Sequence, residues 1–246
     1  MNGRLHPITV ATREIAQIFS RMGFSVAYGP ELEDDFHNFT ALNIPPNHPA
    51  RSMQDTFWIK DGKNNNERVL RTHATSVSVR GLEGLAKSGG TEARMISIGK
   101  VFRNEATDMT HEAQFFQVDS FAVGPVGTIT LAHLKGVLTR FFREYFGEGT
   151  EIRFRPSFFG FTEPSVEVDV WFAPPGKEGR WLEVMGSGMF HPNVIKNAGL
   201  DPEKVAGFAF GVGLERLLMI KYGIPDVRLF HSGDARFVYG FEENAV

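Results

Sequence analysis

Apolar residues recur at helical spacing over Ile8, Ala11, Ile15, Ile18, Phe19 and Met22. The pattern predicts a helix of about four turns that Pro7 opens and Gly23 ends. A strand is expected over 24–28, closed by Gly29-Pro30, then a helical stretch around 32–43 and a proline-rich loop over 44–49. The composition of 61–66 predicts an exposed turn, followed by a short strand to Arg71 and a helix over 76–86, with Thr72, His73 and Thr75 at the junction. Residues 96–103 and 115–123 read as an antiparallel hairpin. Leu131, Leu134, Leu138, Phe141, Phe142 and Tyr145 mark a second long amphipathic helix, stopped by Gly147. Beyond it the period shortens to two. Strands are expected over 151–161, 166–172 and 181–187, the middle one alternating Val166, Val168, Val170 and Phe172 with Glu167, Asp169 and Trp171. A last strand, 207–212, runs into a helix from Leu214 to Tyr222. The order predicts one α+β domain, an antiparallel β-sheet flanked by helices.

With 246 residues, 42% of them hydrophobic, the chain can bury one sizeable core. A net charge of −3 argues against a broad basic face for nucleic acid, so a polyanion must be met by a few placed residues or by a partner. The chain has no cysteine, which removes disulfides and thiolate zinc sites, and its histidines lack the helical HxxxH spacing of a zinc pair. No apolar run approaches the roughly 20 residues of a membrane span, and the polar N-terminus does not read as a signal peptide. A soluble, cytoplasmic protein with no membrane partner is expected.

Two segments carry candidate chemistry. In Phe102-Arg-Asn-Glu105, at the mouth of the hairpin, Arg103 and Glu105 are two apart and on a strand point the same way, one to a phosphate and one to a base edge. Alone, such a pair reads as a surface ion pair. The segment 207–216 is glycine-rich and ends in Gly-x-Gly-x-x-Arg, which departs from the dinucleotide fingerprint and lies outside any βαβ unit. A glycine-rich strand instead leaves room for a flat ligand, with Arg216 over one face of a purine and Phe115 over the other. Phe159 and Phe161 taken singly read as core, and His191 beside Pro192 as structural.

Together with Asn43-Ile-Pro45, the segment 48–57, Arg71-Thr-His73, the segment 107–112, Arg153-Phe-Arg-Pro156 and the segment 188–192, these motifs resemble, from end to end, the catalytic domain of bacterial phenylalanine–tRNA ligase α subunits, which are class II aminoacyl-tRNA synthetases. Residues 5–31 are similar to class II motif 1, 102–105 to motif 2 and 211–216 to motif 3. The resemblance implies ATP-dependent activation of L-phenylalanine and its transfer to tRNA(Phe). Arg103 would hold the α-phosphate and the attacking carboxylate, Glu105 the adenine amino group, Phe115 and Arg216 the two faces of the base, and His111 the terminal phosphates. Mg2+ would be held by Glu183, or second by Glu163. Phe159 and Phe161 would line the phenyl pocket over a floor at Ala209, with His73, Thr75 and Gln117 at the polar end. Four positions near the amino acid differ from the family pattern: Asp119 for Glu, Phe116 for His, Ser78 for Gln and Gly160 for Pro. The implied partner is a β subunit in a heterotetramer, or a second copy through motif 1. The whole of 1–246 is expected to be the catalytic domain, without the N-terminal helical tRNA-binding arm of the family. A paralogue adenylating another amino acid for a non-tRNA acceptor, and a non-catalytic interaction protein on the same fold, are the alternatives.

Overall fold

The structure is a computed structural model that describes residues 3–51, 56–60, 67–173 and 178–241; the expected turn at 61–66 and part of the 48–57 motif lie outside these residues. Helix α1 (Pro7–Arg21) starts with the proline in its first turn, and His6 caps it by accepting from the Ile8 N–H through Nδ1. Gly23 (φ +83) ends the turn that follows. Strand β1 (Ser25–Val26) is shorter than the expected 24–28.

The expected helix over 32–43 is instead three pieces. Strand β2 (Leu32–Asp34) is followed by the short α2 (Asp35–Asn38) and a 3-10 turn at Thr40–Leu42, with Asn43 left-handed at φ 60. Asp34 makes the change by accepting from the His37 N–H, while β2 pairs with β4 (Glu67–Leu70), which also pairs with β3 (Trp58–Lys60). Phe39, Ala41 and Leu42 are fully buried, so the apolar spacing that mimicked a helix reflects a buried turn.

Helix α3 (Thr75–Ser88) leads to the long hairpin of β5 (Ala93–Phe102) and β6 (Gln114–Pro125), and α4 (Leu131–Phe146) follows. Strands β7 (Ile152–Phe159), β8 (Thr162–Phe172) and β9 (Arg180–Phe190), helix α5 (Pro192–Asn197), strand β10 (Val205–Gly213), helix α6 (Leu214–Tyr222), a 3-10 turn at Val227–His231 and α7 (Ala235–Tyr239) complete the order. Strands β8 and β9 outrun their expected lengths because the ladder continues through Gly186 and Gly188, which carry no hydrophobic signal.

The main sheet has the order β1-β5-β6-β10-β9-β8-β7 and is antiparallel except that β1 runs parallel to β5 at the edge. One face carries Ile96, Val118, Ala122, Val166, Val168, Phe208 and Phe210 against α1, α4 and α6. Phe19, Phe141, Phe142 and Phe208 are at most 1% exposed there, each contributing about 2–3 kcal/mol by burial. On the opposite face of β6, Phe121 and Val123 are core while Phe115, Gln117 and Asp119 continue the same row. That face is therefore dry at one end of the strand and polar at the other.

Candidate active site

The polar end of this face collects most of the expected residues. Arg103 follows β5 directly; its N–H bonds the Ala113 carbonyl across the hairpin mouth, and its Nε bonds the Thr72 carbonyl at 3.3 Å. Its guanidinium carbon lies 5.1 Å from the centre of the Phe115 ring, so the motif 2 arginine stacks on an aromatic of the facing strand β6. Burial lowers the Arg103 pKa and the nearby Glu105 carboxylate opposes this.

Glu105 is not on the strand. β5 ends at Phe102 and Glu105 is in the exposed loop, so the alternation that paired it with Arg103 does not apply, although the two charges remain neighbours. His111 also lies in the exposed loop, with Nδ1 3.0 Å from Asp108, whose carboxylate caps the Thr110 and His111 N–H groups.

Arg216 enters from α6. A Cβ on Gly213 would lie 3.7 Å from the Arg216 Cβ, which puts the arginine on the glycine face of β10, and Gly213 is paired with Gln117, two residues from Phe115. Burial lowers the Arg216 pKa, Arg180 adds to the effect and Glu183 opposes it. Phe115 and Arg216 thus share one face and one end of the sheet.

The floor is built from small residues. Ala209 pairs with Gly188 and Gly211 with Gly186 across β10 and β9. A Cβ at Gly186 would lie 2.9 Å from the Phe159 ring, and one at Gly211 would lie 2.8 Å from Gln117 Nε2 and 3.0 Å from Asp119 Oδ2. These glycines are what allow an aromatic wall on one side and an amide and a carboxyl on the other. The Phe159 and Phe161 rings are parallel, 9° apart with centres 5.8 Å apart. Their turn is held by Asn43, whose Nδ2 donates to the Gly160 carbonyl at 2.7 Å and whose Oδ1 accepts from Asn193.

At the polar end Gln117 Oε1 accepts from the Ala74 N–H. Both ring nitrogens of His73 are shielded from solvent without a hydrogen-bond partner among the described residues. Burial, with the Arg103 charge adding to it, pushes the His73 ring down to about 4, so it is neutral at pH 7.

Asp119 is 3% exposed and accepts from Thr75 Oγ1 at 2.7 Å and Ser78 Oγ at 2.9 Å. Burial pushes it up to about 7 against those two bonds and the Arg71 charge. Ser78 is therefore behind the carboxyl, touching Asp119, so two of the four positions expected to differ from the family are bonded to each other.

The two acid candidates for a metal are separated. Glu183 pairs across the sheet with Asp169, accepts from Arg155 at 3.1 Å and is one of the charges acting on Arg216. Glu163 lies near the other end of β8, six positions from Asp169 and so about 20 Å away along the strand, with His191 at 3.6 Å. Glu183 lies among the charges around Arg216, whereas Glu163 lies next to the Phe159–Phe161 turn. His191 is structural as expected, capping α5 by accepting from the Asn193 N–H.

Arg71, Asn43 and Glu215 lie inside motifs that carry the resemblance, but the sequence assigned them no role. Arg71 is 4% exposed and lies across Gly99, where a Cβ would overlap its guanidinium, with Nε donating to the Lys100 carbonyl. Glu215 is 2% exposed and both its oxygens lie 2.9 Å from the Phe116 N. A glycine facing an arginine, or a glutamate inside an apolar helix start, was the available signal.

A mostly antiparallel sheet with a stacked arginine at a hairpin mouth, a second arginine at a strand-to-helix junction and a small-residue floor defines a class II aminoacyl-tRNA synthetase core. The chain belongs to the family described as tRNA synthetases class II core domain (F), whose sequence profile matches residues 1–241. It is 50% identical over 241 residues to the phenylalanine–tRNA ligase alpha subunit of Aeromonas hydrophila, covering 98% of this chain and 69% of that protein. It is 48% identical over 240 residues to the alpha subunit of Xanthomonas campestris, covering 97% and 69%, and 48% identical over 248 residues to that of Rhodospirillum centenum, covering 97% and 67%.

Proposed function

We propose that this chain is the catalytic α subunit of a phenylalanine–tRNA ligase. A carboxylate oxygen of phenylalanine attacks the α-phosphorus of ATP, pyrophosphate leaves, and a terminal hydroxyl of tRNA(Phe) then takes the acyl group from AMP. The carboxylate is already a nucleophile, so the protein supplies placement and positive charge. Arg103 grips the α-phosphate and carboxylate, and Arg216 and Phe115 hold the purine. Glu105 receives the adenine amino group, and His111 swings to the terminal phosphates from its exposed loop. Magnesium, when bound, neutralises phosphate oxygens, and Glu183 would hold it.

Neutral His73, Thr75 and Gln117 orient the polar end of the amino acid, and Asp119 meets its ammonium group. The phenyl ring lies over Ala209 against Phe159 and Phe161. The partner is a β subunit, in a heterotetramer. The observation that carries the reading is the glycine and alanine floor between the Phe159–Phe161 wall and the Gln117–Asp119 pair, a slot apolar at one end and polar at the other.

Amino-acid-dependent pyrophosphate exchange across the twenty amino acids, with and without the β subunit, tests it. Exchange with phenylalanine is expected. The bonded pair Ser78–Asp119, absent from the family pattern, favours one second reading, a paralogue with a shifted substrate; exchange with another amino acid alone would select it. No exchange with any amino acid in either condition would refute both.

A further inference from the structure

Glu215 and His231 meet beneath the nucleotide end of the site, a buried carboxylate beside a partly exposed imidazole. The Glu215 carboxylate joins the first turn of α6 to β6 through the Phe116 N–H, so Arg216 and Phe115 are each one residue from this joint. His231 Nε2 lies 3.6 Å from Glu215 Oε1, so that its imidazole, when protonated, puts a positive charge beside this 2% exposed carboxylate. The same 3-10 turn makes a second contact, its Val227 N–H donating to the Met109 carbonyl at the tip of the motif 2 loop at 3.0 Å. The turn at Val227–His231 therefore touches both motifs' surroundings, the hairpin loop at Met109 and, through Glu215, the joint between α6 and β6.

Resting on the proposed ATP site, we propose that His231 is a positioning residue for the nucleotide: protonated, it holds Glu215 on the Phe116 N–H and so keeps Phe115 and Arg216 at the spacing of a purine. Other titratable groups acting on His231 are Glu112, Lys100 and His6. Glu112 favours the imidazolium and Lys100 opposes it. His6 has its Nδ1 accepting from Ile8 and its Nε2 3.1 Å from the Phe230 carbonyl, an arrangement that suits the neutral ring, and burial lowers its pKa. The Glu215 contact raises the His231 pKa above its ordinary imidazole value of about 6.5 against the cost of burial. The charge is then kept to a higher pH than on an ordinary imidazole and is lost as pH rises through that raised value.

Calorimetry of ATP and of phenylalanine binding to the αβ assembly between pH 6 and 9, for the unaltered chain, His231→Gln and His231→Ala, tests the idea. ATP affinity of the unaltered protein is expected to fall about five-fold across the His231 titration, with His231→Gln weak and flat over the same range. Phenylalanine affinity should be the same in the unaltered chain and His231→Gln, a split that a general loss of fold would not give. His231→Ala should lose amide protection at Phe116 in hydrogen exchange, and Gln should restore part of it. Full ATP affinity in His231→Gln, or a flat profile in the unaltered chain, overturns the proposal. No ATP binding at any pH overturns it together with the site, whereas ATP binding without phenylalanine binding corrects only the substrate and leaves the pH comparison decisive.

Discussion

Removing the Ser78 hydroxyl by Ser78→Ala should shift the pH at which the amino acid is captured. Asp119 sits at about 7 instead of its ordinary 3.8, because burial outweighs the hydroxyls of Thr75 and Ser78 and the charge of Arg71. The unfolded chain releases this proton near pH 4 and the folded chain near 7, so stability falls as pH rises between them. Three pH units correspond to about 4 kcal/mol for holding the carboxylate ionised before an ammonium group arrives to offset it. If only the ionised form captures the ammonium, the Kd for phenylalanine at pH 6 should be about ten-fold that at pH 8. A hydrogen bond to a charged group contributes about 1.5–3 kcal/mol, so losing the 2.9 Å bond from Ser78 should move the midpoint upward by about one pH unit or more. Calorimetric titration with phenylalanine from pH 6 to 8.5, with unfolding followed separately, measures both. A flat Kd in the unaltered protein, or an unmoved midpoint in Ser78→Ala, would refute the reasoning.

Three further substitutions address other parts of the site. Arg216→Ala should reduce kcat/KM for ATP in pyrophosphate exchange by about a hundred-fold or more, with unfolding in urea little changed, if the side chain covers the purine as proposed. Ala209→Gly should deepen the floor opposite Gly188 and admit para-substituted phenylalanines; an unchanged substrate range would remove Ala209 from the floor. Gly99→Ala should cost about 2–3 kcal/mol in urea unfolding, because the new methyl displaces a buried Arg71 from the Lys100 carbonyl; a smaller loss would show that Arg71 can move aside.

Long periodic elements were legible because their signal repeats along the chain. The stripes of α1 and α4 and the hairpin of β5 and β6 are where the pattern predicts them, and the motifs around Arg103 and Arg216 fall at one end of the sheet. The region 32–43 misled because a buried 3-10 turn and a short helix produce the apolar spacing of one longer helix. Glu105 misled because the strand that would have aligned it with Arg103 stops at Phe102.

By itself the sequence determined the class of domain and its main helices and strands, and the resemblance supplied the residues proposed to meet ATP and an amino acid. Only the tertiary structure decided that Ser78 bonds Asp119 across 41 residues, that Glu215 bonds Phe116 across 99, and that Glu183 and Glu163 stand at different ends of β8 and β9. Periodicity reports neighbours within a turn or along one strand, whereas these relations depend on strand order and register, which no local pattern encodes.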